Sequence, residues 1–256
     1  MTVLRAVIVV PARDEAQRID RCLRALGAQR GVAADAYEIV VVLDRCTDGT
    51  RAAAQAAAAG IAPAVRIVDS PAAGVGSARR HGMDLACARL TDAGNPDGLI
   101  ASTDADTTPA EDWLAEQLAL AAGGAEAIGG AIVLAGDEAD GLAPATIARR
   151  DARARVRFDA VLARDPAAEH HFFSGASMAV TARAYGAVGG LEPLPALEDE
   201  AFEARLERAG VPITRSAAVA RTPPTVSAQT RAGRTTDTVF PPLRSRRSPG
   251  SRARPS

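Results

Sequence analysis

Val7-Ile8-Val9-Val10-Pro11-Ala12-Arg13-Asp14-Glu15 begins with four consecutive β-branched residues, stops at a proline and gives way at once to charge. A continuous apolar run bounded in this way reads as a strand buried on both faces, here over 5–10. It is too short for the core of a signal peptide. Similar runs follow at 38–43, 65–69 and 98–103, separated by alanine-rich helical stretches at 14–28, 48–59, 76–90 and 109–122. Short strands alternating with longer helices predict an α/β fold, a Rossmann-like and mostly parallel sheet with helices on both faces. Asp48 before Gly49-Thr50 reads as a helix N-cap. So does Thr108 before Pro109, with proline at the first helical position.

The second half is less regular. A strand is expected over 126–134 and an arginine-rich helix over 144–164, whose charges point to several sides and read as a solvated face. A segment of small and apolar residues, 172–181, leads to Gly189-Gly190. An acidic helix start at Glu198-Asp199-Glu200 then runs to Gly210, followed by a strand over 211–219. From 222 the chain turns to Pro, Arg, Ser and Thr, and 222–256 is expected to be a disordered tail.

Composition narrows the chemistry. With 256 residues, 47% of them apolar, the chain can bury the core of one α/β domain, placed at 1–221. All 30 basic residues are arginine, so lysine Schiff bases and lysine-dependent phosphate loops are excluded. A formal net charge of −1 gives no reason to expect nucleic acid or an acidic membrane as partner. No stretch approaches the roughly 18 to 20 apolar residues of a membrane helix, which predicts a soluble protein and leaves peripheral membrane contact open. Cys22, Cys46 and Cys87 are odd in number and widely spaced, fitting neither a disulfide framework nor a zinc site, and a reducing cytoplasm is the expected compartment.

In open parallel sheets ligands bind beyond the carboxyl ends of the strands, so the polar residues after each strand belong together. Here they are Pro11 to Glu15, Asp44 to Thr50, Gly74 to Arg80 and Asp104-Ala105-Asp106. Two carboxylates at i and i+2 on a strand end can hold one hard divalent ion, Mg²⁺ or Mn²⁺, and a ribose together. Acidic residues also sit in turns for local reasons, so position after a buried strand is what raises this reading. The Gly74-Val75-Gly76 stretch opens a helix whose free N–H groups can receive a phosphate, with Arg79 or Arg80 adding charge. Glu198 and Asp199 can supply a general base or can simply stabilise a helix dipole. His81, His170 and His171 read as surface or packing residues, and Cys46 as an inert thiol.

Taken together over 5–210, these segments resemble the family 2 glycosyltransferases, inverting enzymes of the GT-A fold. Val7 to Glu15 looks like that family's opening strand and nucleotide loop. Val40-Val41-Val42-Leu43-Asp44 resembles its second strand, and Gly175 to Val180, Gly189-Gly190 and Glu198-Asp199 follow its later order. The resemblance implies a nucleotide-binding half, 1–107, and an acceptor-binding half, 108–221. It implies that Pro11, Arg13 and Glu15 line a nucleoside pocket, that Asp44 contacts the base, and that Gly76 and Arg79 lie beside the nucleotide. Asp104 would meet the ribose or donor sugar, Asp106 the metal, and Asp199, with Glu198, would supply the base. A hexosyltransferase follows, moving sugar from a UDP-sugar, or alternatively a GDP-sugar, to an unidentified acceptor hydroxyl. Arg45-Cys46 departs from the family's usual glycine and serine and occurs in some retaining GT-A enzymes, so a retaining transferase is the alternative. A non-catalytic nucleotide-sugar-binding protein is the reading from a different class.

Overall fold

The computed structural model describes residues 2–132 and 144–220. The expected tail lies outside them.

Seven strands form one sheet: β1 (Ala6–Ala12), β2 (Tyr37–Leu43), β3 (Ala64–Asp69), β4 (Leu99–Ser102), β5 (Ala127–Ala131), β6 (Met178–Thr181) and β7 (Ile213–Ala220). Their order is β3-β2-β1-β4-β6-β5-β7. β1 runs parallel to β2 and β4, and β3 parallel to β2, whereas β6 is antiparallel to both β4 and β5. The helices are α1 (Ile19–Gly27), α2 (Thr50–Ala58), α3 (Val75–Asp92), α4 (Trp113–Ala122), α5 (Pro144–Leu162), α6 (Ala182–Ala187) and α7 (Glu198–Arg208). This is the expected α/β sheet, mostly parallel and covered on both faces.

Strand alternation sorts the apolar residues into two cores. Ile8 and Val10 of β1, with Ile39 and Val41 of β2, pack with Leu23 and Leu26 of α1 and Trp113 and Leu114 of α4. Val7, Val9, Val40 and Val42 point the other way, to Met83 and Leu90 of α3 and Phe202 and Leu206 of α7. Fully burying a side chain of this size contributes about 1.5–3 kcal/mol, which makes β1 and β2 the spine of the fold.

Several sequence expectations need correction. β3 is not buried on both faces: it is an edge strand whose residues are exposed or half-buried, because nothing pairs with its outer side. The helix expected from 14 begins only at Ile19. Residues 14–16 are held as loop: Asp14 accepts from Thr47 N–H at 2.7 Å, while Glu15 and Ala16 N–H donate to Thr50 and Asp48. Asp48 accepts from Thr50 N–H at 2.9 Å, within a residue of the expected cap.

The Thr108-Pro109 start is displaced to Trp113. Thr108 Oγ1 is buried without a hydrogen-bond partner among the described residues. The cap comes instead from Gln29, distant in sequence, whose amide oxygen accepts from Leu114 N–H at 2.8 Å while its nitrogen donates to Ala110 C=O at 2.7 Å. A side chain can satisfy a helix's first N–H groups from anywhere in the fold. The sheet is continuous across residue 107, with β6 lying between β4 and β5.

Candidate active site

The carboxyl ends of β1, β2 and β4 open into a cleft of about 650 Å³. Ser102 of β4 pairs with Met178 of β6. Because β6 is antiparallel, the residues that precede it arrive at the very end where β4 finishes. Gly175 and Ser174 therefore line the same cleft as Asp104-Ala105-Asp106, together with the start of α7.

Arg79 ties these pieces together. It lies on the first turns of α3 and is 2% exposed. Its Nη2 donates to Asp104 Oδ1 at 2.8 Å, and its Nε to Glu198 Oε1 at 3.1 Å. Nη1 donates to Ser102 Oγ at 2.6 Å and to Gly175 C=O at 3.0 Å. Burial pulls its pKa down, but the charges and hydrogen bonds of Asp104 and Glu198 outweigh that, and the net shift is upward. One permanently charged guanidinium thus joins the acidic turn to the base candidates. A Cβ on Gly175 would stand 2.3 Å from this guanidinium, so only glycine lets the two approach.

The expected site residues Pro11, Arg13, Glu15, Asp44, Arg79, Asp104, Asp106, Glu198 and Asp199 all line the cleft. Gly76 does not. Its Cα faces the 194 loop, where a Cβ would meet Leu194 C=O at 2.0 Å, so its described role is close backbone packing. Asp44, 2% exposed, accepts from Gly74 N–H at 2.9 Å and from Arg45 Nε at 3.4 Å, with Arg13 Nη1 3.9 Å away. That bond ties the end of β2 to the N-terminus of α3. In the structure the Arg79 donors serve protein acceptors, Asp104, Glu198, Ser102 and Gly175.

Glu198 is buried against Arg79, while Asp199 is half-buried. Asp199 Oδ1 accepts from Glu200 N–H at 2.9 Å and Oδ2 from Gly175 N–H at 3.3 Å, which holds the carboxylate at the cleft wall. Asp106 is also half-buried and forms no ion pair among the described residues; Thr107 Oγ1 lies 3.5 Å from its carboxylate. No three His, Cys, Asp or Glu side chains converge as a metal cage among the described residues. Two carboxylates on one turn, one braced by arginine and one open to the cleft, still fit a hard cation that takes its other oxygens from water and a ligand's phosphates.

His170 is a packing residue. Its Nε2 lies 3.1 Å from Ser216 C=O and its Nδ1 accepts from Phe172 N–H, and burial lowers its pKa. Sequence reasoning missed the loop 195–197, which lines the cleft and ends in Leu197 at φ 59°. It carries no motif; the only signal was Pro195 beside the acidic triplet.

No curated protein sequence matches this chain significantly. Among solved structures, it resembles a mannosyltransferase from Pyrobaculum calidifontis solved with GDP-Man and Mn²⁺, at 23% identity and TM-score 0.63, covering 85% of this chain and 56% of that one. It also resembles residues 1–349 of S. aureus TarS with UDP, at 14% identity and TM-score 0.61, covering 89% and 61%. A third match is M. tuberculosis glucosyl-3-phosphoglycerate synthase, at 16% identity and TM-score 0.55, covering 87% and 73%. The chain spans somewhat over half the length of the first two. At these identities the likeness concerns the fold, which is GT-A. The sequence profile of Glycosyl transferase family 2 matches residues 7–184, running from β1 through the acidic turn and β6, and the chain therefore belongs to that family.

Proposed function

We propose that this protein transfers a sugar, a hexose, from a nucleoside-diphosphate sugar to an acceptor hydroxyl, with inversion. The observation that carries this reading is the Arg79 bridge, which holds Asp104 and Glu198 on one guanidinium and so sets Asp199 opposite the acidic turn. Asp199 takes the proton of the attacking hydroxyl. Pro11, Arg13, Glu15 and Asp44 hold the nucleoside, and the start of α3 at Gly74 and Val75, which line the cleft, receives the diphosphate. Asp44 accepts a ring N–H of uracil or guanine, so a UDP- or GDP-sugar is the donor. The structural relatives solved with GDP-Man and with UDP support that choice.

Asp106, with Asp104 beside it, would hold Mg²⁺ or Mn²⁺. When bound, such an ion offsets charge on the departing diphosphate. The three thiols, none in a disulfide, suit a reducing cytoplasm. Among the described residues no helix is long and apolar enough to cross a membrane.

The test is a panel of UDP-, GDP- and dTDP-sugars with and without manganese. Thermal shift reports donor binding, and release of nucleoside diphosphate reports turnover. A donor that raises the melting temperature only with metal, and is then cleaved, is the expected result. A full panel with neither shift nor release would overturn the reading.

A further inference from the structure

Beside the cleft lies a smaller hollow of about 250 Å³, which shares Ser174, Leu197 and Asp199 with it. Its chemistry is unlike the donor side. Two rings form part of the wall: His171 and Phe172 have centroids 4.1 Å apart, tilted by 34°. Burial, then the nearby charges of Arg157, His170 and Arg215, lower the His171 pKa, so that ring is uncharged at neutral pH. Leu197 stands at the boundary between the two cavities. It is 63% exposed and holds a left-handed backbone conformation that a non-glycine residue seldom adopts. A strained, exposed leucine at a cavity mouth marks a contact surface rather than core packing.

Among the described residues, the charged groups of the hollow are Asp199 and Glu200 from α7 and Arg157 from α5. Arg157 Nη1 lies 2.7 Å from Glu200, which answers its charge, while Glu203, 3.9 Å from Nη2, is held by Arg215 at 2.6 Å. Asp199, which accepts only from backbone N–H groups among the described residues, is left as the uncompensated charge of the hollow. An incoming phosphate would meet like charge at Asp199, whereas sugar hydroxyls can donate to it and to Glu200.

We infer that this hollow is the acceptor subsite and that it takes an uncharged carbohydrate, with a C–H face of the ring against Phe172 and His171 and a hydroxyl toward Asp199. This rests on the glycosyl-transfer reading above. The amphipathic wall suits a pyranose, which offers one apolar face and a rim of hydroxyls.

The experiment measures ligand-observed NMR saturation transfer on the full chain with UDP or GDP present. The probes are methyl α-D-glucopyranoside and methyl α-D-mannopyranoside, each against its 6-phosphate. At least one neutral glycoside should bind saturably and about tenfold more tightly than its phosphate, the size of effect expected from one unscreened like-charge contact. Phe172→Ala should weaken that binding while leaving the nucleotide's thermal shift unchanged. Equal or tighter binding of the phosphates, no saturable binding of either neutral glycoside, or indifference to Phe172→Ala would overturn the acceptor assignment. A missing nucleotide shift in the unaltered protein would instead count against the donor site, so the two failures are separable.

Discussion

Replacing Arg79 with methionine keeps the apolar stem and removes the guanidinium. The effect can be sized from its partners. Glu198 is 7% exposed at its side chain and Asp104 38% exposed, so the two ion pairs are not equivalent. Removing one partner of a buried pair costs about 3–5 kcal/mol, because the remaining charge is left without compensation. The half-open Asp104 pair adds no more than about 1 kcal/mol. Ser102 Oγ and Gly175 C=O also lose a charged donor. Arg79→Met should therefore lower unfolding stability by about 3–5 kcal/mol, most of it at Glu198. Urea denaturation at pH 7 reads this as a shift in midpoint with unchanged slope. Adding Glu198→Gln should recover about 1–3 kcal/mol, since a neutral amide is cheaper to bury unpaired than a carboxylate. A loss below about 1 kcal/mol in the single variant, or a double variant no better than the single, would refute Arg79 as the buried bridge.

Four further outcomes are expected. Asp199→Asn should keep the donor's thermal shift while turnover falls by about 10²–10⁴-fold, the usual contribution of a positioned base; loss of the donor shift would instead make it a binding residue. Asp106→Ala should abolish the manganese dependence of that shift, and an unchanged manganese titration would remove Asp106 from the metal site. Gly76→Ala should cost about 1–3 kcal/mol in urea denaturation through the clash with Leu194 C=O; a neutral result would show that the 194 loop yields freely. For pH, burial holds the His170 pKa below its unfolded value. The unfolded chain therefore binds the extra proton first, so stability is full above about pH 6.5 and declines as pH falls from there toward the folded pKa. His170→Gln should flatten the melting temperature between pH 7 and 5.

Much of the fold was legible because the evidence was local. Each of Val7 to Val10 and Val40 to Leu43 is apolar on both faces, and a doubly covered parallel strand requires that wherever it sits. The late start of α4 was illegible, since its cap is Gln29, and no spacing rule connects residue 29 to 114. The exposure of β3 was hidden for a similar reason: Val65 and Ile67 read as core, but sheet order, not composition, leaves them at an edge.

The site divides the same way. Residue chemistry grouped Asp44, Asp104 and Asp106 as carboxylates that follow strands, whereas the choice of Asp106 for the metal and Asp199 for the base came from the family resemblance. Sequence also showed that arginine must serve every cationic role, there being no lysine. What only the tertiary structure decided is how these groups are coupled. The antiparallel insertion of β6 beside β4 brings Gly175 to Arg79, and Arg79 then reaches Asp104 and Glu198 from the middle of the cleft. Hydrogen bonds and ion pairs act over about 3 Å whatever the separation in sequence. Residues 79, 104, 175 and 198 become one unit only when the sheet has been assembled in this order.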